Sequence, residues 1–188
     1  KLSVKNFLYP FLDLNRKKHL IHVLHQYFGA YASKKAIASA IDKGFARLEE
    51  HRAKIAEKAQ EIISRAREEG KPIIVLAGRP YHIDPEINHG IHKLISSLGM
   101  AVITEDSIMA LAHTPKLKSL NQWVYHSRMY RAAKYVTTQP DMQMIQLVSF
   151  GCGIDAITTD EVRRILEENG KLYTQLKIDE INNLGAAK

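Results

Sequence analysis

The fold is decided by the stretch IIVLAGRPYH at residues 73–82, a continuous apolar run that ends in glycine, arginine and histidine. Such a run of branched apolar residues is typical of a strand buried on both faces of a parallel sheet. Further predicted strands follow at 101–103, 144–148 and 172–176, and helical patterns separate them. Strands that alternate with helices indicate right-handed crossovers. The sequence therefore predicts an α/β fold, with a parallel sheet of about four strands in residues 71–188.

Residues 1–70 are predicted to form a helical N-terminal segment, with a long helix at 33–69. Ser33 is a good N-cap residue for this helix, and Gly70 is a good terminator. From Ile41 to Ala66, the residues at alternating steps of four and three are apolar except for an arginine, which is a heptad pattern. Two interpretations stay open: the helix lies across its own domain, or it forms a homodimer through residues 33–69.

The connections between the predicted strands also carry local signals. Asp84 followed by Pro85 predicts the start of a helix, because aspartate caps a helix well and proline fits its first turn. Residues 105–119 read as a long loop with a short helical turn near residues 109–111. The sequence TTDE at 158–161 predicts a capping box that opens the last helix.

The composition limits the classes of function. The chain carries a net charge of +7 and a single cysteine, Cys152, so no disulfide can form within it. One unpaired cysteine fits a reducing compartment, and we expect a cytoplasmic protein. There is no apolar run long enough to span a bilayer and no interleaving of basic and aromatic residues for stacking on bases, so neither a membrane nor a nucleic acid is expected as partner.

Reactive side chains gather after the predicted strands. In an open α/β sheet, ligands bind outside the carboxyl ends of the strands. The segments after the first and third strands supply the candidates. The cofactor-binding candidates are Arg79, Tyr81, His82, Gly151, Gly153 and Asp155, and the candidate metal ligand is Cys152.

Three of these residues have alternative roles that the sequence leaves open. Cys152 lies between two glycines, and its thiol can be a nucleophile, a metal ligand or a small buried group. Arg79 can bind a phosphate or carboxylate, or form a structural ion pair with Glu105 or Asp106. His82 can be an acid or base, or a hydrogen-bonded loop histidine.

The phrases GRPYHIDPEIN at 78–88, GMAVITED at 99–106 and SFGCGID at 149–155 resemble one family. It is the 2-hydroxyglutaryl-CoA dehydratase and benzoyl-CoA reductase superfamily, in the branch fused to an ATP-dependent acyl-CoA dehydratase activase. The resemblance covers about residues 72–185. It implies a flavodoxin-like or Rossmann-like domain beside a [4Fe–4S] cluster, with an ATP-dependent activase as partner and an acyl-CoA thioester as the possible substrate.

In this resemblance Cys152 matches one cluster ligand, and the other cluster cysteines are not in the sequence. We therefore expect a piece of a longer protein that is catalytically inactive by itself. Two other functions remain: a non-catalytic module that binds CoA or a nucleotide through Arg79, and a structural oligomerisation domain built on the long helix.

Overall fold

The computed structural model describes residues 7–149 and 153–178. The chain divides into two compact units, Lys1–Ala53 and Lys54–Lys188. A long helix, α2 at Lys34–Glu68, contributes its first part to one unit and its last part to the other. Each unit is described by itself below.

The first unit is built from helix α1, Lys17–Phe28, and the beginning of α2. Its core consists of Leu20, Ile37 and Ile41, with partly buried apolar neighbours around them. The Ser33 hydroxyl accepts a hydrogen bond from the backbone N–H of Ala36 at 3.2 Å, which confirms the predicted N-cap of the long helix.

The second unit contains a four-stranded parallel sheet in the order β2-β1-β3-β4. The strands are β1 at Ile73–Ala77, β2 at Ala101–Thr104, β3 at Met142–Val148 and β4 at Tyr173–Lys177. The predicted α/β class is confirmed, and the order agrees with a flavodoxin-like or Rossmann-like sheet.

Helices connect each strand to the next. They are α3 at Ile91–Ser97, α4 at Glu105–Ile108, α5 at Val124–Thr137 and α6 at Gly153–Glu167, with single 3₁₀ turns at Pro80–Ile83 and Met109–Leu111. Helix α3 joins β1 to β2, α5 precedes β3, and α6 joins β3 to β4.

Alternate residues of β1 enter two separate cores because side chains on a strand point to opposite faces. Val75 and its odd-numbered neighbours belong to the larger core, together with Ile63 of α2 and residues of α5 and α6. Ile74 and Leu76 belong to a smaller core with Ile91 of α3. Both faces of β1 are therefore buried, as its unbroken apolar sequence predicted.

The strand order creates a reversal at β1. The chain passes from β1 to β2 on one side, then returns to place β3 on the other side of β1. Helices that start from such a reversal leave the sheet on opposite faces, and a crevice opens between them at the carboxyl ends of the two strands. In this protein the crevice lies between the tips of β1 and β3.

The predicted helix start at Asp84 and Pro85 is wrong. The Asp84 carboxylate accepts the backbone N–H of Glu86 at 2.9 Å, which makes a local turn instead of a helix cap. His89 and Gly90 then have φ angles of +52° and +78°, which a right-handed helix cannot accommodate. Helix α3 can therefore begin only after Gly90.

The predicted capping box at 158–161 is also wrong, because α6 begins five residues earlier, at Gly153. The Thr158 hydroxyl donates to the carbonyl of Ile154 within the helix at 2.9 Å, so this threonine is satisfied as an interior residue. The predicted loop at 105–119 is partly helical, since Glu105–Ile108 forms α4.

The heptad positions of α2 do not share one environment. Ile41 is buried in the core of the first unit, Ala59 and Ala66 are buried in that of the second, and Leu48 between them is 41% exposed. The predicted homodimer through this helix stays a prediction. None of the helices in the described part of the chain combines the length and the apolar character that crossing a bilayer requires.

Replacement of Ile63 by alanine should lower the free energy of unfolding by about 2–5 kcal/mol, because its side chain is 1% exposed and leaves a cavity in the larger core. Leu48→Ala, on the exposed part of the same helix, serves as the control and should stay within about 0.5 kcal/mol of the wild type. Urea denaturation measures both. Equal losses would contradict the placement of the core.

Candidate functional site

The candidate site lies in the crevice between the tips of β1 and β3. Its first wall is the segment that follows β1, from Gly78 through the 3₁₀ turn at Pro80–Ile83. Its second wall consists of Ser149, after β3, and the first turn of α6. The structure thus brings Arg79, His82 and Asp155 together, although 76 residues separate Arg79 from Asp155 in sequence.

Gly78 lets the chain fold back tightly over the end of β1. A Cβ atom at this position would lie 2.4 Å from Nδ1 of His82 and 3.1 Å from the carbonyl oxygen of Leu147. No larger residue fits here unless the histidine moves. Gly78 therefore leaves room for the His82 ring at the tip of β1, and the His82 side chain is only 2% exposed.

The hydrogen bonds of His82 define its tautomer. The backbone N–H of Arg79 donates to Nδ1 at 3.0 Å, so Nδ1 is the unprotonated nitrogen. Nε2 then carries the hydrogen and donates it to the hydroxyl oxygen of Ser149 at 2.9 Å. The ring cannot also accept a proton from that hydroxyl. His82 is thus the hydrogen-bonded loop histidine of the two predicted alternatives, and it does not act as a base toward Ser149.

The charge state of His82 agrees with this arrangement. Burial lowers the pKa of His82, the Asp155 carboxylate opposes that shift, and the Arg79 guanidinium adds to it. A neutral ring keeps the Nδ1 lone pair free to accept the Arg79 N–H. The edge of the Tyr81 ring packs against His82 with centroids 4.6 Å apart, and the Tyr81 hydroxyl lies 3.2 Å from Ser149 Oγ.

Arg79 forms an ion pair with Asp155 across the crevice. Its Nε and Nη2 both donate to Oδ1 of Asp155, at 3.0 and 2.9 Å. Asp155 is 7% exposed and lies in the first turn of α6, where a negative charge is favoured by the helix dipole. The predicted alternative of an ion pair for Arg79 is therefore right in kind but wrong in partner, since neither Glu105 nor Asp106 takes that place.

Glu105 and Asp106, the two predicted partners of Arg79, contact other side chains. Glu105 is buried and pairs with Nη2 of Arg128 at 2.5 Å. The Asp106 carboxylate accepts the hydroxyl of Thr104 at 2.5 Å. Burial raises the pKa of Glu105 from its ordinary value near 4.5 to about 7, whereas the Arg128 charge lowers it and Asp106 raises it.

His126 is a site residue that the sequence reasoning missed. It lies in the first turn of α5 with Nε2 3.9 Å from Oδ1 of Asp155, and Trp123 packs edge-on at 6.2 Å between ring centroids. Burial lowers the pKa of His126, which Asp155 opposes. The topological rule pointed only to strand tips, and no local signal in the sequence connects the start of α5 with the start of α6.

The segment after β3 is attached to the tip of β1 on both of its sides. Ser149 precedes residues 150–152 and is held by His82 and Tyr81, while Asp155 follows them and is held by Arg79. The candidates Gly151 and Cys152 lie outside the described residues. At Gly153, no described atom lies within 4 Å of an added Cβ, so this glycine borders open space.

The described residues contain no group of three or more histidine, cysteine, aspartate or glutamate side chains that could bind a metal ion. The arrangement in the crevice is instead a closed set of pairs: a cation with a carboxylate, and a neutral histidine with a hydroxyl. Such a set positions the backbone on either side of residues 150–152.

Replacement of His82 by alanine should lower the free energy of unfolding by about 1–3 kcal/mol, because the part-buried N–H of Arg79 loses its acceptor and the Ser149 hydroxyl loses one of its two partners. His113→Ala, at an exposed position, is the matched control and should change little. Chemical denaturation at pH 7 measures the difference. A variant as stable as the control would refute the assigned hydrogen bonds.

Glu105 predicts a pH dependence of stability. Because its pKa is higher in the folded than in the unfolded chain, the folded state binds the extra proton between about pH 4.5 and 7. The Glu105 contribution to stability must therefore fall as pH rises through this window, by at most about 1.4 kcal/mol per pH unit. Glu105→Gln should lack this slope in denaturation curves taken at pH 5, 6 and 7. Parallel pH profiles for the wild type and the variant would count against it.

The comparisons with known proteins give one match. No curated protein matches the chain, and no solved structure does. Residues 2–108 match the family model described as the CoA enzyme activase uncharacterised domain, DUF2229. The matched range includes the N-terminal helices, which lie outside the residues that carry the sequence resemblance. It also includes Arg79, His82 and Glu105, and it ends before Asp155. Because the match covers more than half of the sequence, the chain belongs to the family of the CoA enzyme activase uncharacterised domain, DUF2229.

Proposed function

We propose that this chain acts in a CoA enzyme activase-type redox system by presenting Cys152 at the carboxyl edge of its sheet. There the thiolate is one ligand of an iron–sulfur cluster, and the other ligands are cysteines outside these 188 residues. The partner is an ATP-dependent activase domain or subunit, and the chemistry that the system serves is the dehydration of a 2-hydroxyacyl-CoA. A cytoplasmic location is part of the same proposal.

The observation that carries the proposal is the double attachment of the segment around residues 150–152. Ser149 on one side is held by His82, and Asp155 on the other side is held by Arg79. Ligands that bind a metal centre need support from neighbouring hydrogen bonds and rigid elements. The tip of β1 gives such support to both ends of the segment that carries the only cysteine of the sequence.

Electrostatics in the crevice fit a single thiolate. Arg79 and Asp155 cancel each other, and His82 is neutral, so none of these residues adds a net negative charge. In the sequence, Cys152 directly precedes Gly153, the first residue of α6. The N-terminus of a helix favours a nearby negative charge, and it lowers the pKa of a cysteine placed there.

These residues by themselves do not fit a complete cluster. A [4Fe–4S] cluster is held by four thiolates, whereas the sequence has one cysteine and the described residues offer no set of alternative ligands. A cluster at this edge must therefore be shared with other cysteines. For this reason no electron-transfer step is assigned to the residues of this chain.

A module that binds CoA or a nucleotide through Arg79 is less well supported. The guanidinium group is already neutralised by a carboxylate that is 7% exposed, and it is therefore a weak attractor for a phosphate. Binding of CoA here would require Arg79 to leave a buried aspartate without its partner.

The test is the iron and sulfide content of the full-length protein, purified without oxygen and reconstituted with iron and sulfide. Cys152→Ser should lower both contents, since one of the thiolate ligands is removed. Ala110→Ser introduces the same hydroxyl at an exposed position and should leave both contents unchanged. Asp155→Asn, which weakens the attachment to Arg79, should lower the iron content less than Cys152→Ser does.

Two results would overturn the proposal. The first is a wild-type protein that takes up no iron or sulfide under these conditions. The second is an iron content that Cys152→Ser leaves unchanged, which would remove Cys152 from the ligand set. Thermal unfolding of each variant shows whether a loss of iron comes from a loss of structure.

A further inference from the structure

The positive charge of the protein is concentrated in its first unit. Residues 1–53 contain ten lysines and arginines against four aspartates and glutamates, a net charge of +6. Residues 54–188 contain 17 basic and 16 acidic residues, a net charge of +1. Almost the whole excess of +7 thus belongs to fewer than a third of the residues. A field of one sign on one unit attracts partners of the opposite sign.

The acidic residues of this unit all form ion pairs within the unit itself. Each is paired with a basic residue of the same unit: Asp13 with Arg16, Asp42 with Lys17, Glu49 with Arg52, and Glu50 with Arg47. The exposed lysines Lys18, Lys34, Lys35 and Lys43 have no carboxylate partner within the described part of the chain. Four of the six excess charges are therefore carried by lysine side chains that reach into solvent.

Two pairs of lysines occupy positions where they reduce helix stability. Lys17 and Lys18 open α1, and Lys34 and Lys35 open α2, and neither first turn contains an acidic residue. The N-terminus of a helix carries a partial positive charge, so a cation there is unfavourable and an anion is favoured. Lys17 has a compensating contact with Asp42, whereas Lys18, Lys34 and Lys35 have no carboxylate partner among the described residues. Residues that break a local rule without a compensating contact are expected where function requires them.

Aromatic side chains are exposed on the same unit. Phe7, Tyr9, Phe11 and Tyr31 are 70%, 80%, 83% and 88% exposed. Aromatic residues are enriched in the buried cores of protein–protein interfaces, where tyrosine is among the residues that contribute most to binding.

We propose that the described part of the first unit, residues 7–53, is a docking surface for a protein with an acidic surface. A second copy of this chain fits less well, because contact between the first units of two copies would bring one charge of +6 against another. Nucleic acid fits less well, since all three arginines of the unit are bound to its own carboxylates and none is left for bidentate contact with phosphate.

A membrane surface also fits less well than an acidic protein. A helix that lies in a bilayer surface needs a free apolar side. The apolar residues Leu20 and Val23 of α1 are buried, and Leu20 packs on Ile37 and Ile41 of α2 in the core of this unit. The large apolar side chains that α1 exposes, Tyr27 and Phe28, both lie in its last turn, so the helix has no free apolar side along its length.

The experiment measures binding of the full chain to a fluorescent copolymer of glutamate and tyrosine by anisotropy at low salt. The test variant replaces Lys34 and Lys35 by glutamate. It should bind at least about tenfold more weakly, because charge reversal at an interface reduces electrostatic attraction strongly. The control replaces Lys93 and Lys116 by glutamate, which makes the same change in net charge at exposed positions of the second unit.

The test variant cannot lose binding through damage to α2. Glutamates in the first turn of a helix are favoured by its dipole, so its Tm should be equal to or higher than that of the wild type. Binding that the test variant weakens while the control does not would support the proposal. No binding of the copolymer, equal weakening by both variants, or tighter binding of duplex DNA or phosphatidylserine vesicles than of the copolymer would overturn it.

Discussion

The ion pair between Arg79 and Asp155 joins two elements that are distant in sequence and adjacent in the sheet. Asp155 is 7% exposed, and a carboxylate at that depth is tolerated only with a counter-charge. Arg79 supplies it from the tip of β1, so the beginning of α6 can lie where it does only while β1 and β3 are correctly paired. The geometry of the site therefore depends on the pairing of β1 with β3 in the sheet.

The same ion pair explains why the side chains in the crevice are better suited to positioning the backbone than to reacting with a ligand. Arg79 and His82 already have partners: the guanidinium has a carboxylate, and His82 has a backbone N–H on one side and a hydroxyl on the other. Groups saturated in this way hold geometry and contribute little direct reactivity. The described residues of the crevice therefore position the backbone on either side of residues 150–152.

The two units differ in net charge and in the side chains that they expose. The second unit is nearly neutral and contains the sheet with its closed network of pairs, whereas the first is strongly basic and exposes aromatic rings. Positive charge at the first turns of both helices of the first unit has a cost in local stability. The long helix α2 runs through both units, and its apolar positions serve a different core at each end.

The sequence by itself determined whatever local periodicity controls: the class of fold, the strand Ile73–Ala77 and the N-cap at Ser33. These features follow from contacts between residues close together in the chain. Tertiary structure decided the order of the strands, the partner of Arg79 and the presence of His126 beside Asp155. The two wrong helix signals have different reasons: the exposed Asp84 forms a local turn with the N–H of Glu86, whereas the buried Thr158 bonds to the Ile154 carbonyl inside a helix that has already begun. Pairings across the crevice depend on which strand tips become neighbours, and no short stretch of sequence contains that information.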